Sequence, residues 1–370
     1  MSRLDRRELR VFPLRERKND LRIAEIAVTG EHPAPSLSDK QQSQTTRTAE
    51  HIIAARKGNK PVVLTYGAHL IKNGLGPLVA QMLERGWITH LATNGAGSIH
   101  DWEFAYQGES SEDVRANTAQ GKFGIWEETN RFLNLAVAVG GIADLGYGGS
   151  VAKMIHEEGL TIPSVEEIRK ELASLASQEE PDETLGALAD LLYLVTTFNL
   201  PAGKMEIPHP FKKYSLQEAA WRLKTPFTVH PGIGYDIIYT HPLNCGGAIG
   251  RGAVRDFLAF ADSISKLENG VHLAIGSSVM APMIFEKAMS MANNLSLQRQ
   301  GRPMSGHYLV INDIQEGGDW DWSKGEPPRE HPAYYLRFCK SFYRMGGQLE
   351  YVCLDNRDFL LGLYHALAGY

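Results

Sequence analysis

The fold is decided by residues 61–97, which read PVVLTYGAHLIKNGLGPLVAQMLERGWITHLATNGAG. The stretch opens on an apolar run, PVVLTYGAH, that leads into a glycine, and it closes on a second such run, WITHLATNGAG. Between the two runs, apolar residues recur at the spacing of one helical face. This pattern predicts a strand, a helix and a second strand. The apolar helical positions are Leu75, Leu78, Val79, Met82 and Leu83.

The same pattern returns in the C-terminal half of the chain. Four more apolar runs each lead into a loop: PFTVHPGIG (226–234), VHLAIGSS (271–278), HYLVIND (307–313) and LEYVCLD (349–355). Buried, β-branched runs that alternate with helices are typical of a parallel sheet covered on both faces. We therefore predict an α/β fold with a doubly wound parallel sheet of the NAD-binding, Rossmann-like type.

Two further segments set the predicted domain organisation. Residues 1–48 are polar and read as an N-terminal arm and an exposed connection, with the arm free to pack on a neighbouring subunit. Ser164 and Glu167 form a capping-box signature at the start of a helix. The segment around that helix, about residues 160–224, is predicted to be a helical insertion. Residues 49–370 then form a single α/β domain.

The composition disfavours several classes of protein. The 370 residues include 38 Lys and Arg against 43 Asp and Glu, and the net charge of −5 disfavours general capture of nucleic acid. Cys245, Cys339 and Cys353 are widely spaced and odd in number, which argues against a disulfide framework. The sequence contains neither a signal-peptide pattern nor a run of 18 apolar residues. We expect a cytoplasmic protein that does not span a membrane.

Loops rich in small residues follow the predicted strands, and the carboxyl ends of parallel strands share one edge of a sheet. Bare backbone N–H groups and helix N-termini at that edge can hold phosphate oxygens. The chain has no P-loop, and no GxGxxG with an acidic ribose partner in a strand, turn and helix. The loops thus favour a nucleotide or a phosphorylated ligand over a conventional dehydrogenase or a P-loop kinase. The alternative is that these glycines only end helices and tight turns.

Two local features suggest chemistry. His100 stands beside Asp101, and such a pair can shuttle a proton near neutral pH, or can simply satisfy hydrogen bonds at a helix start. The stretch 314–330 combines acidic and tryptophan side chains, which suits a cationic or polyol substrate, or else a solvated loop. The histidines lack metal-ligand spacing, so no metal is predicted. The acidic and aromatic residues are Glu316, Asp319, Trp320, Asp321 and Trp322.

Taken in order, the loops resemble deoxyhypusine synthase over roughly residues 60–370. The matching pieces are AHLIKNG, NGAGSIHDWE, PGIGYDIIYTHP, AIGSSVMAPMI, INDIQEGGDWD and CLDNR. The resemblance implies an NAD-binding parallel-sheet domain in a homotetramer with active sites between subunits. It implies NAD contacts from Ala68, His69, Gly74, Asn94, Gly95, Ala96, Gly97, Gly276, Ser277, Ser278, Asn312, Asp313, Asp355 and Asn356.

The resemblance also implies an amine site. Asp236 and Asp321 fall where the family keeps carboxylates that bind polyamine ammonium groups, and Lys340 is the nearest candidate for its imine-forming lysine. The chain departs from the family at His100, where a glutamate is expected, and at Pro231 and Pro282, where an aspartate and a histidine are expected. The family's Ser-Trp-Gly-Lys motif is not recognisable around Lys340.

These observations lead to one main hypothesis and two alternatives. The main hypothesis is a divergent member of this group that binds NAD or a related nucleotide and oxidises a small amine or amino acid. Asp236 and Asp321 would then hold the substrate, with His100 as acid or base. The first alternative is a noncatalytic nucleotide-binding or assembly protein. The second is a sugar-phosphate isomerase-like enzyme that uses His100 and the GSS loop. A homo-oligomer, either dimer or tetramer, is expected in each case.

Overall fold

The structure, a computed structural model, describes residues 3–180 and 182–370. Its strands are β1 (Asn19–Arg22), β2 (Val62–Tyr66), β3 (His90–Asn94), β4 (Glu109–Glu112), β5 (Gly159–Ile162), β6 (Gly203–Glu206), β7 (Phe227–His230), β8 (Val271–Ile275), β9 (Tyr308–Asp313) and β10 (Gln348–Cys353). Its α-helices are α1 (Ile23–Ile26), α2 (Asp39–Lys57), α3 (Ala68–Lys72), α4 (Gly76–Glu84), α5 (Gly95–Gln107), α6 (Val114–Ala119), α7 (Glu127–Gly141), α8 (Tyr147–Glu157), α9 (Val165–Ala176), α10 (Thr184–Thr197), α11 (Leu216–Arg222), α12 (Gly246–Ser265), α13 (Met280–Gln300), α14 (Arg337–Tyr343) and α15 (Asn356–Ala368).

Six strands form the central sheet, in the order β10-β9-β8-β2-β3-β7, and every pair in it is parallel. The first strand of this sheet along the chain is β2. The chain then adds β3 and the edge strand β7 on one side of β2, and returns to add β8 on the other side. From there it continues through β9 to the opposite edge, β10. The strand order therefore reverses between β2 and β8, as in doubly wound Rossmann-like sheets. The predicted α/β fold with a parallel central sheet is confirmed.

Both faces of the sheet are covered, which explains why β2, β7 and β8 are buried along their whole length. In β2, Val62 and Leu64 pack into a core shared with α4, α5 and α15, whereas Val63 faces a second core formed with α12, α13 and α14. This alternation follows from the two-residue period of a strand. Among the residues that the structure describes, no helix is long and apolar enough to cross a membrane.

The segments outside the sheet differ in part from expectation. The predicted insertion contains α9, α10 and α11, and also an antiparallel pair of strands, β5 and β6. Helix α2 passes through the predicted boundary at residue 48, because Ser38 and Gln41 form a capping box that starts the helix earlier. The preceding arm packs on its own chain: β1 pairs with β4, and Leu14 and Ile23 are buried.

Candidate functional site

The crevice where the strand order reverses is built from bare backbone. Gly67 follows β2 and donates its N–H to Ile275 O of β8 at 3.1 Å. A Cβ atom at Gly67 would overlap the carbonyl oxygen of Gly276, so the two strand ends meet in direct backbone contact. Gly276 itself has φ +55°, a conformation that favours glycine. Its N–H donates to Asn312 O at 2.8 Å and ties the loop to β9.

The loop after β8 leads into the 21-residue helix α13. Ser277 Oγ accepts the N–H of Ala281 at 3.2 Å, while Ser278 is exposed. The first turn of α13 contains no acidic residue, so its partial positive charge is not neutralised locally. A Cβ atom at Gly276 would approach only Asn356 Nδ2, at 3.8 Å, which leaves room for a group to approach this backbone. The arrangement suits an anionic ligand.

Polar side chains at the ends of β9 and β10, and at the start of α15, form hydrogen bonds that hold the loops at the same edge of the sheet. Asn356 Oδ1 accepts a hydrogen bond from Asn73 Nδ2 at 2.8 Å, and Asn312 Nδ2 donates to Leu354 O at 2.8 Å. Asn312 is 1 % exposed, and its Oδ1 has no partner among the described residues. Asp355 caps α15 through Arg357 N, and Asp313 accepts the N–H of Gln315 at 3.1 Å. The structure thus brings the predicted contacts of β8, β9 and β10 together at one edge.

At the loop after β3, the protein's own side chains occupy the space in which a phosphate would bind. Asn94 Oδ1 accepts the N–H of Gly97 at 2.8 Å and caps α5. A Cβ atom at Gly95 would overlap the carboxyl group of Asp236, which therefore lies on the N-terminus of α5. A phosphate at Gly95, Ala96 or Gly97 would meet that carboxylate, and two negative groups repel each other. The geometry favours the β8 loop over the β3 loop as the phosphate position.

Gly74 has a structural role in the contact between the N-terminal segment and the sheet domain. It has φ +74°, and a Cβ atom there would overlap Ile26 O. Its own carbonyl accepts the N–H of Val28 at 2.8 Å, so it holds the N-terminal segment against the body. Ala68 and His69 begin α3 directly after Gly67, and His69 is exposed at the same edge of the sheet.

Asp236 is a buried carboxyl group in the loop that follows β7. It is 6 % exposed, and its Oδ2 accepts the N–H of Gly232 at 2.8 Å. Burial outweighs this hydrogen bond and raises the pKa of Asp236 to about 6. The hydroxyl groups of Tyr147 and Tyr239 have no partner among the described residues, and burial, with the nearby charge of Asp236, raises the pKa of Tyr239 to about 12. Asp236 can therefore change its charge near neutral pH.

His100 and Asp101 do not form the predicted pair. Consecutive residues on a helix point about 100° apart, and here they face different neighbours. Asp101 accepts hydrogen bonds from Ser215 Oγ at 2.6 Å and from Leu216 N at 2.8 Å, and so caps α11. His100 Nδ1 lies 2.7 Å from Ser110 Oγ on β4. Asp101 thus has a structural role, while His100 belongs to a separate network.

Asp321 and Lys340 lie far from Asp236. Asp321 accepts hydrogen bonds from Ser323 N and Oγ at 3.0 and 2.7 Å, beside a cavity of about 890 Å³ along the outer edge of β10. The Lys340 ammonium lies 3.5 Å from the centroid of the Tyr334 ring. Asp236 lies against Gly95 directly after β3, and β3 is four strands from β10, roughly 19 Å at the usual strand spacing. The structure therefore does not bring Asp236 and Asp321 to one small ligand.

Sequence reasoning missed Arg17, Glu103, Ser110 and Tyr147. Glu103 stands three residues after His100, which places both on one helical face, and this spacing was the available signal. Arg17 reaches Glu103 across 86 positions, and Ser110 lies on a strand that follows α5, so no local pattern marks them.

Comparisons with known proteins give structural likenesses only. No protein-family profile and no curated protein matches the chain. A conserved LOR/SDH protein from Methanococcus maripaludis S2 aligns with 14% identity over 93% of this chain and 73% of its own, with a TM-score of 0.46. AgrE in its ternary complex with ornithine and NAD⁺ aligns with 13% identity over 91% of this chain and 34% of its own, with a TM-score of 0.42. ArgZ, an arginine dihydrolase from the ornithine-ammonia cycle in Cyanobacteria, aligns with 12% identity over 89% and 33%, with a TM-score of 0.39.

The sequence resemblance to deoxyhypusine synthase is wrong. The aligned structures are a LOR/SDH protein, AgrE and ArgZ, and this chain spans only about a third of the latter two (34% and 33%). The short motifs behind the resemblance are glycines and small polar residues at strand ends, which any doubly wound sheet needs for tight turns and helix caps. The polyamine role of Asp236 and Asp321, the imine role of Lys340 and the shared-site tetramer lose that support.

Proposed function

We propose that this protein binds NAD or a closely related dinucleotide at the edge of the sheet where β2 and β8 end. The observation that carries the proposal is the reversal of strand order between two strands that are each followed by a glycine, beside the N-terminus of α13, whose first turn has no acidic residue. In such sheets ligands bind beyond the carboxyl ends of the strands at the reversal point. Backbone N–H groups of residues 277–279 would hold the diphosphate, with the exposed Ser278 at the outer edge of this loop.

The proposed reaction is oxidation of a small amine or amino acid. When bound, NAD supplies the acceptor for the hydride that leaves the carbon bearing nitrogen. Asp236 is the group suited to take the proton that the amine gives up, because its pKa of about 6 leaves it mostly ionised at neutral pH. The product is an imine, and no other redox partner is required. We propose a cytoplasmic homo-oligomer as the working form.

A noncatalytic nucleotide-binding protein is the second candidate. It is favoured by the number of polar side chains at this edge that already brace loops, among them Asn73, Asn94 and Asn356. The isomerase alternative needs His100 beside the GSS loop. His100 instead lies on α5 and faces β4, so the geometry does not favour it.

A negative charge in the loop after β8 should weaken binding of the dinucleotide. We expect Ser278→Asp to weaken NAD binding at least tenfold, because the new carboxylate repels the diphosphate, while the melting temperature stays unchanged at this exposed position. Isothermal calorimetry with NAD measures the effect. Ser290→Asp is the matched control, since Ser290 is also exposed on α13 but lies more than two turns from the loop. Equal affinities for the two variants would contradict the proposed diphosphate position.

Replacing Asp236 should separate chemistry from stability. We expect Asp236→Asn to lower kcat for amine-dependent NADH formation by roughly 10²–10⁴-fold, the usual contribution of a general base. The fold should be as stable at pH 8 as the wild type or more stable, because burial disfavours the carboxylate and the amide can still accept the N–H of Gly232. Absorbance at 340 nm and urea unfolding are the measurements. A variant that unfolds more easily at pH 8 but keeps its turnover would assign Asp236 a structural role.

A further inference from the structure

The outer edge of β10 carries backbone hydrogen-bonding groups with which no strand among the described residues pairs. Gln348 N–H donates to His307 O at 3.0 Å, and Leu354 N–H, directly after the strand, donates to Asp313 O at 3.2 Å. The even-numbered residues therefore face β9, and in such a ladder the odd-numbered residues point their N–H and C=O groups away from it. An edge of this kind can pair with another extended segment. The outward-pointing residues are Leu349, Tyr351 and Cys353.

A groove lies over this edge. The cavity of about 890 Å³ runs along residues 347–353, and we call it the β10 groove. One wall is α2, from the core on one face of the sheet, and the other contains Trp320 and Tyr343, from the core on the opposite face. The strand edge forms the floor between them. Gln44 of α2 donates through Nε2 to Tyr351 O at 2.9 Å, which shows that a donor reaches this edge from inside the groove.

The lining of the β10 groove has an excess of negative charge. It contains four carboxylates and two cationic side chains, a net charge of −2. Both cations already have partners, because Lys40 pairs with Asp319 and Arg47 pairs with Glu350. Lysine or arginine side chains of an incoming segment would meet the remaining carboxylates and the aromatic rings, and both stabilise a cation. The remaining carboxylates are Glu316 and Asp321.

A second copy of this chain does not fit the β10 groove. Each copy places its own β10 at the floor of the same groove, so the walls keep two such strands farther apart than the roughly 4.8 Å between paired strands. The two grooves also carry the same negative charge, and like charges repel. A single extended segment of positive charge meets neither obstacle.

We propose that the β10 groove binds an extended, positively charged segment of a partner protein, which adds to the sheet as a further strand beside β10. Backbone hydrogen bonds to the outward-pointing residues provide the affinity, with a peptide N–H replacing Gln44 at Tyr351 O, and the carboxylates select cationic side chains. β8 lies two strands from β10, so this site is separate from the dinucleotide site and does not depend on it.

The charge of the partner is tested by fluorescence anisotropy on the full chain with a labelled probe peptide of six alternating lysines and valines. We expect saturable binding, and at least about tenfold weaker binding when glutamate replaces lysine. Glu316→Gln should weaken the lysine peptide, whereas Glu330→Gln, also exposed but outside the groove, should not. Equal affinities for the two peptides, or for the two variants, would overturn the cationic partner.

Strand addition is tested by N-methylation, which removes N–H donors from the lysine peptide. Alternate residues of an added strand face β10, so methylating all three lysines or all three valines should abolish binding in one case and preserve it in the other. Hydrogen–deuterium exchange should show further protection within residues 347–353. The same response to both methylated peptides, or binding of N-acetyllysine methylamide as tight as that of the peptide, would refute strand addition.

A second copy as the occupant has its own signature. The protein would then form an oligomer that the lysine peptide dissociates, and light scattering would detect the fall in mass. That result would also overturn the proposal. We expect the mass of the protein to change only by that of the bound peptide.

Discussion

Replacing Arg17 with methionine is expected to lower the free energy of unfolding by about 3–5 kcal/mol, which is the usual effect of removing one partner of a buried ion pair. The guanidinium makes two hydrogen bonds of 2.7 Å to Glu103, and both side chains are almost fully buried. Burial alone would raise the pKa of Glu103, but Arg17 outweighs it and keeps that pKa below its usual value. Without Arg17 the carboxylate must remain unpaired or take up a proton.

Urea unfolding at pH 7 measures this loss. Arg22→Met is the matched control, because Arg22 lies on the same N-terminal segment and pairs with Glu109 at 3.0 Å, but with 64% of its side chain exposed. We expect the free energy of unfolding of Arg22→Met to equal that of the wild type, because exposed ion pairs contribute little to stability. The double variant Arg17→Met with Glu103→Gln should recover part of the stability, since the buried charge is then removed. A loss in Arg17→Met no larger than in the control would show that the N-terminal segment is not anchored by this pair.

The second large effect is a loss of stability in mild acid. Burial lowers the pKa of three core histidines to about 3 and that of two more to about 4. Each is neutral in the fold but protonated near pH 6.5 when unfolded, so its contribution to stability is complete above pH 6.5 and decreases as the pH falls toward the folded pKa. The first three are His90, His230 and His272, and the other two are His100 and His209.

Three buried carboxyl groups, Asp101, Asp236 and Asp256, act in the opposite direction, because burial raises the pKa of each. Burial raises the pKa of Asp236 to about 6 and that of Asp256 to about 7, so the folded state binds their protons more tightly and gains stability as the pH falls. The histidines outnumber these carboxyl groups, because burial also lowers the pKa of His51 and His307, and the balance is a net uptake of about three protons on unfolding between pH 6 and 4.5. The resulting slope is at most about 4 kcal/mol per pH unit.

Urea titrations at closely spaced pH values from 8 to 4.5 measure this slope. His272→Gln should lower the net proton uptake by about one, because His272 is fully buried and Gln does not titrate. An unfolding free energy that is flat or rises from pH 6 to 5 would contradict the buried, neutral state of these histidines.

Much of the sheet was predictable from sequence because its strands are buried on both faces. Runs such as VHLAIGSS and HYLVIND are mostly apolar and end in small or polar residues, and the structure places β8 and β9 within them. The strand order is consistent with this pattern but is set by packing between distant helices, which no local spacing records. The start of α2 at Asp39 was missed although Ser38 and Gln41 carry a capping signature.

The candidate site was predictable only in outline. Loops at strand ends indicated the carboxyl edge of the sheet as the candidate site, yet a glycine motif does not show what lies against it. At Gly95 the neighbour is the Asp236 carboxyl group, at Gly67 it is a second backbone, and at Gly276 it is only Asn356 Nδ2, at 3.8 Å. These differences decide where an anion fits, and they arise from contacts across more than 100 positions of the chain. The partners of His100 were hidden for the same reason.

Hydrogen–deuterium exchange of the full chain with and without NAD tests the central claim most directly, because it reports both binding and its location. We expect NAD to slow exchange in peptides that cover residues 67–73 and 276–283, where β2 and β8 end, with little change along the outer edge of β10. Unchanged exchange at a saturating concentration, or protection confined to residues 316–323 and 347–353, would contradict a dinucleotide site at the reversal of the sheet.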